Sequence, residues 1–219
     1  MPTEILRNDK HVYTVDGQIV TGVTDCLHDL KNLERVPDEN LKRARERGLY
    51  ADEAIMLYVD DNLKEDTLDP VLVPFLVGWK KAVAHYGIKV IAYQLRVFHR
   101  TYRYAGTLDI LADMTKRPSH IRGNGLIVID LKCTYQIGDE VALQLSAYEN
   151  AYNDELAAGR AATMLEPRAQ HRLALQLIDD NGGDFVPHWF NEPTDFMVFV
   201  GCLYRHNWRI KHGHTIEHR

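Results

Sequence analysis

The sequence has few of the features that mark a specialised chain. Its 219 residues contain three cysteines, Cys26, Cys133 and Cys202, widely spaced and with no CxxC pair. That argues against a disulfide framework, a zinc ribbon or a cysteine-held iron–sulfur cluster, and it suits a reducing cytosol. Long hydrophobic runs are missing too: stretches such as Phe196–Val200 fall far short of the roughly 18 residues a membrane span needs. The opening MPTEILRNDK lacks the apolar core of a secretory signal. Nor is there an excess of positive charge. Lys and Arg number 26 against 31 Asp and Glu, giving a net charge of -5 and a pI near 6.1. Any contact with nucleic acid must therefore rest on local patches. Internal repeats and Walker, GxSxG, HExxH and EF-hand patterns are also absent.

What is present is the composition of an ordinary folded chain, 45% hydrophobic and 26% charged, so a disordered polymer is excluded. At about 150 residues per domain, the expectation is one domain over residues 1–219, cytoplasmic and without membrane contact. His11–Val20 reads as a hairpin turning at Asp16-Gly17. Helices are predicted over 41–59, capped by Asp38 or Asn40, and over 71–85, ended by Gly87. The period then shortens. Ile88–His99 and Tyr104–Met114 read as a strand pair joined at 100–103, followed by a polar loop over 116–125. Leu126–Cys133 is nearly all apolar, as in a strand buried on both faces. A helix over 140–156, a hairpin from 172–179 and 185–190, and a closing helix over 194–211 complete an α/β class with a mixed sheet flanked by helices.

Charge interrupts two of these strands. Asp109 lies in Gly106-Thr107-Leu108-Asp109, and Asp130 and Lys132 lie two apart in Asp130-Leu131-Lys132. Residues two apart on a strand share a face, so Asp130 and Lys132 project together. A buried carboxylate is costly unless it is paired or metal-bound. One reading is a structural ion pair. The other adds Asp109 from the neighbouring strand and makes a divalent-cation site, with the lysine orienting or deprotonating a water and stabilising phosphate charge. On the following helix Val141, Leu145, Tyr148 and Tyr152 form an inward stripe, and Gln144 and Tyr148, four apart, share a face.

The ordered blocks GTLD (106–109), DLK (130–132) and QLSAY (144–148) resemble the GxxD, (D/E)xK and QxxxY motifs of the RecB-like branch of the PD-(D/E)XK nucleases. The layout also resembles the phage-type members, with a hairpin, the Val23-Thr24 segment, an early helix with an RG pair and a second helix with a tryptophan. The resemblance implies a restriction-endonuclease-like core and metal-dependent hydrolysis of DNA phosphodiesters. It assigns Asp109, Asp130, Lys132, Gln144 and Tyr148 as the active residues. Many such members are exonucleases of phage recombination or repair, so an exonuclease is expected in preference to an endonuclease. DNA is the implied partner, and a second copy of the chain or a recombination partner protein is compatible with it.

The chain departs from that pattern in three places. Asp52 stands where the relatives carry a metal-binding histidine. As a ligand it would complete an all-oxygen set of Asp52, Asp109, Asp130 and the Leu131 carbonyl, suited to Mg2+ or Mn2+ with Mg2+ favoured; otherwise it is a solvated acid at a stripe edge. Gly48, four residues before it in a helix interior, points to close packing there. Gln94 stands near a glutamate of the relatives and brings no charge. The four cysteines of the iron–sulfur members are missing. Basic residues cluster at Lys42, Arg43, Arg45 and Arg47, at Arg96, His99, Arg100 and Arg103, and at Arg205, Arg209, Lys211 and His212. These are solvated faces or, if they adjoin the acids, a phosphate track. His212, His214 and His218 could chelate a metal adventitiously, but a flexible tail is the expectation. A catalytically inactive DNA-binding or assembly module on the same fold is the competing reading. A hydrolase of another phosphodiester is the third.

Overall fold

The computed structural model describes residues 4–8, 11–30, 38–159 and 167–213, apart from the side chains of Asp38, Asn40 and Leu41. The capping role expected of Asp38 or Asn40, and the adventitious chelation or flexible tail considered for His214 and His218, lie outside what is described. His212 is inside it, and its ring stacks on Trp208 at 4.4 Å between centroids.

In chain order the elements are β1 (Ile5–Arg7), β2 (Tyr13–Val15), β3 (Gln18–Gly22), α1 (Val23–Cys26), α2 (Asp38–Val59), α3 (Val73–Tyr86), β4 (Ile88–His99), β5 (Tyr104–Met114), β6 (Leu126–Lys132), α4 (Glu140–Ala157), β7 (Ala169–Ile178), β8 (Asp184–Phe190) and α5 (Asp195–Lys211). The predicted boundaries agree closely. The hairpin turn has both Asp16 (φ 48°) and Gly17 (φ 78°) left-handed, the backbone that a two-residue turn between twisted strands requires. The three-residue β1 and the single turn α1 carry too little periodicity to be read from sequence.

The eight strands form one mixed sheet in the order β1-β2-β3-β5-β6-β7-β8, with β4 on β5. On one face α2 and α3 pack Ile55, Trp79 and their neighbours against Ile110, Ile127, Ile129 and Leu173. On the other, α1, α4 and α5 pack Leu145, Tyr152, Phe199 and their neighbours against Leu108, Leu111 and Val128. Among the described residues no helix is long and apolar enough to cross a membrane.

One detail of the sheet creates an opening. Strand β4 pairs with β5 along its whole length, from His99↔Tyr104 to Ile88↔Met114. Everything else that pairs with β5 must therefore use its second edge. There β3 pairs in parallel with Tyr104 and Ala105 only, and β6 pairs antiparallel with Ile110 to Ala112 only. Between the two ladders Gly106-Thr107-Leu108-Asp109 has no strand partner on that edge. The GTLD block is the floor of a split in the sheet.

The expectation for Gly48 is corrected. A Cβ at Gly48 would meet nothing within 4 Å, so close packing does not explain the glycine. Gly48→Ala should accordingly stabilise the free protein by about 1 kcal/mol through helix propensity. Thermal or urea unfolding will measure this, and a lower midpoint in the variant would refute the open space above α2.

Candidate active site

The split brings acids together from three elements. Beyond its floor, β5 changes the faces its side chains address. Leu108 and Leu111 pack with α4, whereas Ile110, Ala112 and Met114 pack with α2 and α3, so strict alternation breaks at Asp109. Across on β4, Gln94 has φ 46°, a conformation that costs a non-glycine residue roughly 1–2 kcal/mol. At this kink the Asp109 carboxylate replaces the missing ladder: its Oδ2 accepts the Leu131 N–H at 2.9 Å. In an extended strand the N–H and C=O of one residue face the same edge. The Leu131 carbonyl therefore faces the split as well.

Asp130 and Lys132 share the α4 face of β6, as their spacing predicts, while Ile127, Ile129, Leu131 and Cys133 face α2 and α3. Asp130 is 1% exposed. Its Oδ1 accepts the Gln144 amide at 3.1 Å. Its Oδ2 is ion-paired with Lys132 Nζ at 2.6 Å. The same Gln144 amide donates to the Tyr148 hydroxyl at 3.1 Å. Gln144 thus ties Asp130 to Tyr148 from one helix face. The glycine of the GTLD block makes this possible: a Cβ at Gly106 would sit 2.4 Å from Tyr148 Cε1 and 3.0 Å from Val23 Cγ2.

Asp52, on α2, interacts electrostatically with both acids and with Lys132. Burial pushes its carboxyl up to about 8, with Asp109 and Asp130 adding to the shift and Lys132 opposing it. Burial, and then Asp130, push Asp109 up to about 7, against the pull of Lys132, the Leu131 N–H and Arg7. Burial disfavours the Lys132 charge, but Asp130, Asp109 and Asp52 outweigh it and hold the ammonium above its ordinary value. The Tyr148 phenol is raised well above its ordinary value by burial and then by Asp130, so it stays protonated.

The donor chemistry suits a hard divalent cation. Asp130 Oδ2 is engaged by Lys132 alone, the second Asp109 oxygen bonds to no described residue, and the Leu131 carbonyl faces the same opening. These are oxygen donors of the kind Mg2+ and Mn2+ accept together with waters. The expected three-carboxylate cluster is not pre-assembled: among the described residues no group of three or more His, Cys, Asp or Glu side chains is arranged to hold an ion. Asp52 is an electrostatic neighbour of the other two acids, and its carboxylate forms no hydrogen bond or ion pair within the described residues.

Several expectations for the basic clusters change. Arg47 is not a solvated residue of α2: its Nη2 donates to the Cys133 carbonyl at 3.3 Å, one residue past Lys132, and its guanidinium lies 5.6 Å from the Phe75 ring centroid. His99 is 8% exposed and sits among Tyr102, Tyr104 and Phe196. Arg100 is held by Asp154 at 2.8 Å, and Arg205 and Arg209 share Asp29. Gln94 is exposed and uncharged, consistent with leaving it out of the ligand set. Arg7 and Tyr13 were not foreseen. The Tyr13 hydroxyl meets Thr107 Oγ1 at 2.9 Å on the floor of the split.

No family model and no curated protein matches this sequence. Among solved structures, the chain is similar to one titled crystal structure of SSO0001, at 14% identity over 85% of this chain and 74% of that one, with a TM-score of 0.37. It is also similar to an alkaline exonuclease from Laribacter hongkongensis, at 12% identity over 88% and 92% of the two chains, with a TM-score of 0.40. Neither likeness is close enough to assign chemistry, which has to come from the residues of the split.

Two outcomes follow from this geometry. Asp52 and Asp109 titrate near 3.8 when unfolded and higher when folded, so over that interval the folded chain binds more protons. Their joint contribution to stability is thus present at acid pH and lost as pH rises toward about 8. In EDTA, Asp52→Asn should reduce the fall in melting temperature between about pH 5 and about pH 8; an unchanged fall would contradict the burial of this acid beside the others. Gly106→Ala should lower stability by about 1–3 kcal/mol through overpacking against Tyr148, measurable as a urea midpoint.

Proposed function

We propose that the chain is a divalent-metal-dependent deoxyribonuclease that hydrolyses DNA phosphodiester bonds, acting as an exonuclease in preference to an endonuclease. The observation that carries this reading is the buried Asp130–Lys132 pair on a central strand, with Gln144 on its other oxygen and the Asp109 carboxylate, tied to the Leu131 N–H, beside it in one open split. A purely structural ion pair requires none of these companions. The role in phage recombination or repair, the membership of the RecB-like branch and the cytoplasmic location belong to the same proposal and rest on the motif resemblance.

In this reading Asp109, Asp130 and the Leu131 carbonyl hold Mg2+ or Mn2+, and Asp52 adds negative charge from the α2 side. When bound, such an ion polarises a phosphoryl oxygen and makes a coordinated water more acidic. The remaining work falls to the chain itself. Lys132 is held as an ammonium, so it serves better as a donor that orients water and stabilises charge on the phosphate than as a base. Gln144 donates to Asp130 and fixes its carboxylate. Tyr148, protonated, backs Gln144 against Gly106.

One observation favours the alternative of an inactive DNA-binding or assembly module: without an ion, Lys132 is bound up with Asp130, and the three acids form no ready cluster. Digestion of linear and circular DNA with Mg2+, Mn2+ or EDTA separates the readings. Cleavage of linear DNA alone, lost in EDTA, is expected of the exonuclease; no cleavage under any condition would leave the binding module. Lys132→Ala should abolish cleavage while retaining metal and DNA binding, and Gln144→Ala should slow it less than Asp130→Ala. Near wild-type turnover in Lys132→Ala would overturn the assignment.

A further inference from the structure

The split has two banks. One is β6, carrying Asp130 and Lys132. The other is the N-terminal hairpin, where β3 leaves β5 and Tyr13 bonds Thr107 on the floor. This second bank carries two arginines, Arg7 and Arg96, that form no ion pair among the described residues.

Arg7 lies on β1, the terminal strand of the sheet. Its guanidinium sits 6.0 Å from the Tyr13 ring centroid, and its charge is felt by Asp109 and by the Tyr13 phenol. It forms no ion pair among the described residues. Its Nη2 contacts the His11 ring, whose own protonation is disfavoured by burial and then by Arg7, so the contact brings no negative charge. Its Nε is buried with no hydrogen-bond partner. Arg96 stands nearby. Its Nη1 donates to the Ile5 carbonyl at 3.2 Å, it too forms no ion pair among the described residues, and its charge also reaches Tyr13.

Arg47 and Arg103 share part of this arrangement, each lying over an aromatic ring with no ion pair among the described residues. Elsewhere Arg43, Arg100, Arg117, Arg172, Arg205 and Arg209 each meet an acid. Arg7 is a partly buried guanidinium against the His11 ring and the Tyr13 face; Asp25 and Asp109 act on this bank only through space, so its fork is free to take an anion from outside. The planar fork of arginine matches a phosphate better than a lysine would. The bank lies across the floor from Asp130, so that anion would reach the site from the side opposite Lys132.

Resting on the nuclease reading above, we propose that Arg7, supported by Tyr13 and flanked by Arg96, forms a phosphate subsite on the hairpin bank. It binds a backbone phosphate of the DNA next to the one being cleaved. Arg7 is a positioning residue: it holds the strand across the split and takes no part in proton transfer.

The test is DNA binding by fluorescence anisotropy over a range of KCl, in Ca2+ to suppress turnover, paired with steady-state cleavage in Mg2+. Wild type is compared with Arg7→Ala, Arg7→Lys and Arg96→Ala, with the exposed, Glu39-paired Arg43→Ala as control. Arg7→Ala should weaken binding about tenfold and flatten the slope of log Kd against log salt by about one. It should raise KM with a smaller change in kcat. Arg7→Lys should recover the slope but only part of the affinity, which a fold defect would not do, and Arg43→Ala should match wild type. If wild type cleaves and both Arg7 variants bind and cleave like it with the same salt slope, this subsite is wrong and the nuclease reading survives. If wild type neither binds nor cleaves DNA, both fall.

Discussion

The site depends on one constraint, the limited edge of β5. Strand β4 occupies one edge completely, and two strands of opposite direction compete for the other. Neither β3 nor β6 can cover it all, and four residues are left without a ladder. An unpaired strand edge normally exposes backbone groups to water or to another chain. Here the Asp109 side chain takes over one of the lost bonds by accepting the Leu131 N–H. A carboxylate is thereby fixed at the floor, and the next acid, on β6, is brought beside it.

The chain then gathers more negative charge than it neutralises locally. Asp52, Asp109 and Asp130 face a single lysine. Burying unbalanced charge is costly unless the groups are protonated or the charge is met from outside. The raised carboxyls of Asp52 and Asp109 are the signs of that cost in the metal-free chain. A divalent cation would relieve it. The rigidity of the surroundings keeps it from relaxing otherwise: Tyr148 is wedged over Gly106, Gln144 is tied to Tyr148 and Asp130, and β6 is buried on both faces.

Much of this was legible in the sequence. The period of two in Leu126–Cys133 placed Asp130 and Lys132 on one face, and the four-residue spacing placed Gln144 beside Tyr148. The Asp16-Gly17 turn, the Gly87 helix end and the α/β class followed from local chemistry. The break in alternation at Asp109 was not legible, because it arises from competition between distant strands for one edge. Gly48 misled because a glycine in a helix signals either contact or space, and only the tertiary structure distinguishes them. Arg7 was invisible for a related reason. It lies in a three-residue strand with no periodic pattern, and its meaning comes from Asp109 and Tyr13, remote in the chain. Arg47 looked like one more residue of a charged helix until its bond to the Cys133 carbonyl placed it at the end of β6.

The central claim is that the split in β5 is a cation site built on Asp109 and Asp130. A crystal of the protein soaked in Mn2+ and measured for anomalous scattering tests it most directly. A single strong peak between the Asp109 and Asp130 carboxylates, within about 2.0–2.6 Å of an oxygen of each and lost in Asp130→Asn, is expected. An empty split, with manganese at the C-terminal histidines instead, would contradict the account.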